Sequence, residues 1–540
     1  MKNKALKLTA AAASMLMLAS CGSASGSMVE KPVMNLTDST PAAAGELDTL
    51  KWSLYAEPYS LDYAYAFDYS DNQVLANICE PLLRLNPDLS VAPGLAAKWE
   101  NPTPTTWVYT IRKNVKFHDG TTLTPKDVVA SLNRHLDPEV GSSWYSAFAN
   151  VKSIEATGKD QVTITTTKPD ALLNESLSGA AGVIESAATL EKLGGDYGNA
   201  SGGVNCTGPY QLDEWSSGEK LSLSSFDEYW DKDLAPKAKK LDFVVMTDPV
   251  ARVNALKSGE IDGGWMIPSN AINELQATGT GQMYFGTNSA VSSLVVSNPE
   301  GPLGDARVRE ALVRSIDRNG LVMAAESGYA TATDSLTAQG VWGQQPKKVQ
   351  EAAFDQLNEY PYDLEKAKSL VKEAGAEGRE ITITTAPMGN NFNVVAQATA
   401  AAAESIGLKA TIKTVTPNAY TALFSDPAAR EGTDLFFTNW YLSVGNPLEM
   451  FSIMRTDDFS NYGGFSSPKY DKAVNQALFS EKPEGESKNL LEAQKILNEQ
   501  LPWLPLYETP TTLWMSDRVT GTDVSVNYLY YPWAAQIGAK

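Results

Sequence analysis

The sequence predicts an α/β fold spread over more than one domain, and three observations carry that reading. The early part of the chain is rich in short alternating strands closed by Gly, Ser and Asp turns. From about residue 300, strands and helices alternate in strand–helix–strand units, the pattern that packs helices on a sheet. Finally, about 490 of the 540 residues are ordinary globular material, enough for two to four domains.

The N-terminus reads differently. Lys2, Lys4 and Lys7 precede an apolar run from about Leu8 to Ala19, and Leu18-Ala19-Ser20 leads into Cys21. A positive end, a short apolar run and small residues at a cut describe a secretory signal over residues 1–20; the run is short for a membrane span. A Cys at this cut resembles the lipobox of bacterial lipoproteins, which implies cleavage before Cys21 and lipid on its sulfur. From Gly22 to about Asp48 small and polar residues dominate. Such a stretch buries too little surface to offset its ordering entropy, so residues 21–48 are expected to be a flexible tether.

The elements follow in order. Leu50 to Tyr55 alternates as a first strand, and Asp71 to Leu85 reads as a helix running into an apolar segment. In Thr106 to Arg112, Trp107, Tyr109 and Ile111 share one face, the mark of a half-buried strand. Thr124-Pro125-Lys126-Asp127 opens a helix: Thr124 caps free amides, Pro125 suits the first helical position and Asp127 suits the positive end. Val151 to Thr167 is a strand pair about Gly158-Lys159-Asp160, and Tyr210 to Phe226 is a hairpin turning at Ser216-Ser217-Gly218. Asp248-Pro249 starts a helix that stops near Gly259. Asp305 to Ala325 reads as one long amphipathic helix. Asp363 caps another that ends at Gly375, a left-handed stop. Strand Glu380–Thr385, helix Asn391–Ile406 and strand Lys409–Val415 complete the α/β pattern.

Charge and motifs narrow the function. Net charge is -20; losing Lys2, Lys4 and Lys7 leaves 41 basic against 64 acidic residues, or -23. That balance repels nucleic acid and anionic head groups. Only His118 and His135 are available as imidazole ligands, 17 residues apart, and Asp119-Gly120 is a plain turn signal, so neither metal site nor cofactor is expected. No G-x-S-x-G is present, and Gly279-Thr280-Gly281 lacks the rest of a phosphate loop. A carboxylate-pair hydrolase of the cell envelope stays open as a minor alternative. Cys79 and Cys206 either pair outside the cell or act as buried thiols; sequence alone leaves both open.

A set of motifs in fixed order then resembles one family. Asn77-Ile78-Cys79-Glu80-Pro81-Leu82 is followed by Ala92-Pro93-Gly94-Leu95-Ala96-Ala97-Lys98-Trp99. Tyr109 to Val128 contains Phe117-His118-Asp119-Gly120 and Leu123-Thr124-Pro125-Lys126-Asp127. Thr207-Gly208-Pro209-Tyr210, Ala255-Leu256-Lys257-Ser258-Gly259-Glu260-Ile261-Asp262, Asp305-Ala306-Arg307-Val308-Arg309-Glu310 and Tyr362-Asp363-Leu364-Glu365-Lys366-Ala367 complete it. From about Leu50 to Trp533 the chain resembles the extracellular solute-binding proteins of family 5, the oligopeptide- and dipeptide-binding subunits of ABC transporters. The resemblance implies a two-lobed, class II periplasmic-binding-protein-like fold with a hinge. It places lobe I at 49–78, 200–294 and 505–540, an inserted domain at 79–199 and lobe II at 295–504. It implies a monomeric, non-enzymatic receptor at the extracellular face of the membrane, held there by its lipid. Such a receptor passes a peptide or other small solute to permease subunits. A non-peptide solute such as an oligosaccharide, or a sensing role, is the alternative.

Site candidates come from the same source. Trp440-Tyr441-Leu442-Ser443-Val444-Gly445-Asn446-Pro447 follows an apolar strand, and ligands sit beyond the carboxyl ends of strands in open α/β sheets. The family carries an acidic residue three positions after the Trp, which binds a peptide's free amine. Here that position is Ser443, which brings a hydrogen bond and no charge, and Asn446 stands before Pro447. Glu57 could supply the missing charge. Tyr59, Trp265, Asn461 and Tyr462 are the remaining candidates beside the ligand.

Overall fold

The computed structural model describes residues 32–540; the signal, Cys21 and the start of the tether lie outside the described residues. Residues 34–540 form one compact unit. Its largest sheet has seven strands in the order Tyr210–Ser216, Lys220–Ser225, Ala238–Val245, Leu47–Leu54, Gly263–Trp265, Thr511–Ser516, Gly281–Gly286. Leu47–Leu54 lies at the centre, parallel to both neighbours. Its Leu50, Trp52 and Leu54 are fully buried, as a strand covered on both faces requires.

A second sheet has six strands in the order Thr331–Ala332, Trp503–Glu508, Val291–Val296, Leu435–Trp440, Glu380–Thr385, Lys409–Thr414. The chain passes between the two sheets twice, from Gly286 to Val291 and from Glu508 to Thr511. Two sheets joined by two short crossings make a two-lobed α/β molecule. A third, four-stranded antiparallel sheet has its own apolar core. Its strands are ordered Ala96–Thr103, Thr106–Ile111, Gln161–Thr166, Val151–Gly158. Cys79 and Cys206 form a disulfide, with Cα atoms 4.9 Å apart and a sequence separation of 127, at the base of the segment carrying this third sheet.

Local chemistry sets many boundaries. Asp248 accepts from the Ala251 amide at 2.7 Å, and the helix Pro249–Ser258 ends on Gly259 at φ +74°. Thr124 and Asp127 bond across the start of helix Pro125–Arg134. Asp363 accepts from Lys366 N, and Gly375 follows that helix at φ +65°.

Two expectations are corrected. The single helix expected over Asp305–Ala325 is two helices, Ala306–Ser315 and Arg318–Glu326. Ile316 turns extended, and Asp317 starts the second helix by accepting from Gly320 N at 3.0 Å. The tether does not run to residue 48. Thr37 N donates to Phe285 O, Thr40 N to Thr522 O and Ala44 N to Ala539 O, each at 2.8 Å. Thr40 Oγ1 in turn accepts from the amides of Gly521 and Thr522. These contacts use main chain and hydroxyl, which a low apolar content does not forbid.

Candidate functional site

The loop after strand Leu435–Trp440 lies on the seam between the lobes. Tyr441 rests on Tyr69 with ring centroids 4.7 Å apart. Its hydroxyl donates to Phe67 O at 2.8 Å, accepts from Asn72 Nδ2 at 3.2 Å and lies 3.1 Å from the Tyr530 hydroxyl. One side chain from the six-stranded sheet's lobe thus meets four residues across the seam. Burial pushes the Tyr441 hydroxyl's pKa well up, so it stays a neutral donor at physiological pH.

Ser443 and Asn446 occupy the same loop, and each meets a carboxylate that sequence reasoning missed. Ser443 N and Oγ and Val444 N all donate to Glu449, at 2.9–3.1 Å. Burial raises the Glu449 carboxyl to about 7, against the pull of those bonds. The position that lacks an acid is therefore wrapped around one supplied six residues later, in the first turn of helix Leu448–Ile453. A Glu two residues past Pro447 at a helix start was the available signal. Asn446 takes Leu448 N at its Oδ1 and spends its amide hydrogens on Glu175 and Glu486.

Trp440 is half-buried and meets Trp503 edge-on at 5.3 Å. Tyr462 also stacks on Trp503, 6.0 Å away at an interplanar angle of 9°, with the Arg430 guanidinium 4.7 Å over its ring. The remaining candidates lie apart. Trp265 is fully buried in the core of the seven-stranded lobe, stacked on Tyr528 at 4.4 Å and edge-on to Trp533 at 5.6 Å. Arg252 pins this strand end by donating to the carbonyls of Trp265 and Met266 and to Ser53 Oγ. Asn461 closes its own turn through Arg455 O and Phe465 N and O. Tyr59 is 82% exposed, its amide donating to Asp71.

Glu57 accepts from Trp215 Nε1 at 2.9 Å. Burial works to raise its pKa, but hydrogen bonds from Ser217, Trp215 and the Gly218 amide outweigh this and hold it below the usual carboxylate value. It is already engaged by the hairpin turn beside it. Near the seam, Asp71 is buried and pushed up, first by burial and then by the charge of Asp68, against amide bonds from Tyr59, Asp68 and Ser60. Tyr55 donates to Asp68. His118 bonds Gly208 O and His135 bonds Ser142 Oγ, both structural contacts. Among the described residues, no three His, Cys, Asp or Glu side chains are arranged to hold a metal.

A sequence model described as "Bacterial extracellular solute-binding proteins, family 5 Middle" matches residues 90–462. The glutathione-binding protein GsiB of Salmonella choleraesuis (strain SC-B67) is 27% identical over 513 residues, covering 93% of this chain and 95% of the relative. Two solved structures share the fold. Helicobacter pylori DppA, in complex with the peptide STSA, has a TM-score of 0.80 and 20% identity, covering 92% of this chain and 98% of that one. The Escherichia coli murein tripeptide binding protein MppA has a TM-score of 0.78 and 22% identity, covering 92% and 99%.

Proposed function

This chain belongs to the bacterial extracellular solute-binding proteins of family 5, the receptors of ABC importers, and on that premise we propose that its solute is a peptide or peptide-like molecule gripped between the two lobes. The observation that carries this reading is Tyr441, which reaches from one lobe to Phe67, Asn72 and Tyr530 of the other. A loop that bridges the seam is where a solute would be enclosed and shed its water. The peptide class draws support from the similarity to a glutathione-binding protein over nearly the whole chain.

In this reading lobe I is 49–78, 200–294 and 505–540, with 79–199 inserted and 295–504 as lobe II. The described segment 36–46 belongs with lobe I, which shortens the tether. Cys21 carries lipid and holds a monomer at the outer face of the membrane, where the closed form docks on permease subunits. The chain binds and does not catalyse. Trp440, Tyr441, Ser443 and Asn446 border the solute, and Tyr462 supports Trp440 through Trp503. The Glu449 carboxylate supplies the counter-charge for a free amine because it stands directly behind Ser443, whereas Glu57 stands against the hairpin turn at Trp215.

Calorimetry with glutathione, a free tripeptide and the same tripeptide N-acetylated tests the class. The expected result is micromolar or tighter binding of at least one free-amine ligand. Acetylation is expected to weaken it by at least about tenfold, as losing a charge-assisted bond of roughly 1.5–3 kcal/mol requires. Glu449→Gln should narrow that difference. Equal binding of free and acetylated forms would remove the amine anchor. A sugar co-purifying with protein made in cells, seen by native mass spectrometry, would overturn the peptide class.

A further inference from the structure

Three carboxylates meet where the segment carrying the four-stranded sheet touches the six-stranded lobe. Glu175 comes from the short helix Leu173–Ser176 on one side. Glu486, in helix Pro483–Gln500, and Glu449 come from the other. Asn446 bridges the contact, donating to Glu175 Oε1 at 3.3 Å and Glu486 Oε1 at 3.2 Å. The approach is tight: a Cβ on Gly179, three residues past the end of the Glu175 helix, would lie 3.1 Å from Ser443 O.

Among the described residues, no cation acts on this cluster. The groups acting on Glu175 are Glu486, Asn446 and Glu449, after burial itself. Glu486 faces Asn446, and Glu449 faces the amides of Ser443 and Val444 and the Ser443 hydroxyl. Lys168 lies over the Phe479 ring, Arg455 acts on Asp170, and Lys482 and Glu484 are exposed. Stabilising bonds are thus made to neutral amides and hydroxyls while like charges converge, and like charges held together in a partly buried site do not all ionise.

We infer that Glu175, Glu486 and Glu449 form a proton-operated latch on lobe closure, so that acid favours the closed form and alkali favours opening. With the two sides in contact as they are in this structure, burial and then the Glu486 and Glu449 charges raise Glu175 to about 8. When the two sides separate, its carboxyl returns to water and to the ordinary range near 4.3. The closed form therefore holds protons that the open form releases. Its advantage is complete below the open-form value and disappears as pH rises through the closed-form value. The latch rests on the lobe motion proposed above and would let external pH set how readily a solute is captured or released.

Small-angle X-ray scattering on residues 34–540 at pH 6.0 and pH 8.5 reads the ratio of closed to open forms. An open reference comes from Gly179→Trp, whose side chain cannot fit against Ser443. The wild-type ratio should fall by about tenfold or more between the two pH values, since each unit of pKa difference between states is worth tenfold. Glu175→Gln should flatten the response and keep the chain closed at pH 8.5, whereas Glu486→Gln should only lessen it, because burial alone still raises Glu175. A wild-type profile unchanged with pH, or a Glu175→Gln variant that follows wild type, overturns the latch while leaving lobe motion intact. A folded Gly179→Trp chain that scatters like wild type overturns the motion itself, and the latch with it.

Discussion

Trp265 shows how little a residue's type says about its task. It has 0% exposure, stacks flat on Tyr528 and packs against both Trp52 and Trp533. Trp265→Ala should therefore cost about 3–5 kcal/mol, the range for truncating a large buried aromatic. Urea denaturation reads this as a lowered midpoint at constant slope. A loss under about 1 kcal/mol with solute affinity abolished would return Trp265 to the cleft. At the seam, the sequence singled out the loop Trp440–Asn446 because it follows a strand. What it could not show was the partner set. Tyr69, Asn72 and Tyr530 stand far away in sequence and reach Tyr441 only through tertiary packing. Ser443 was legible as a missing acid, but Glu449 was not legible as its replacement, because that depends on the loop folding back over a helix start. Asn461 was a candidate because the corresponding loop of the family borders the ligand, and its side chain bonds within its own turn.

Element boundaries were most legible where one side chain fixes them. Thr124-Pro125, Asp248-Pro249 and Asp363 name helix starts, and Gly259 and Gly375 name ends, because the capping bond is made within four residues. The break at Ile316 was hidden for the complementary reason. Periodicity continues through Asp305–Ala325, and only the Asp317 cap, seen in three dimensions, marks the second start. The segment 36–46 is the instructive failure. Composition predicted a tether, but main-chain pairing to Phe285, Thr522 and Ala539 does not register in composition. A chain beginning at residue 47 should be less stable than one beginning at residue 34 by a few kcal/mol, at about 1 kcal/mol net per lost hydrogen bond. Thermal unfolding of the two truncations compares them directly. Equal midpoints would mean that ordering the segment costs as much as its bonds return.

At the scale of the molecule, local pattern identified strands but not their sheets. Leu47–Leu54 pairs with Ala238–Val245, across a chain separation no periodicity can report, and the six-stranded sheet collects strands from Val291 to Glu508. The lobes were readable only through a family resemblance, which conveys topology that composition and spacing do not. The disulfide Cys79–Cys206 belongs to this scale as well, since it ties the two ends of a long segment rather than two neighbouring elements. Its consequence is mechanical. Tension applied at the two ends of residues 34–540 passes through the sulfur bridge and bypasses everything between the cysteines, so the segment carrying the four-stranded sheet is shunted out of the load path. In single-molecule stretching, the oxidised chain should unravel to a contour shorter than the reduced chain by roughly 45 nm, taking about 3.6 Å per residue over the 127-residue separation. Equal contours would show that force reaches the inserted sheet. The expected difference would show that this receptor can be pulled open along its lobes while that sheet stays folded, slack and unloaded.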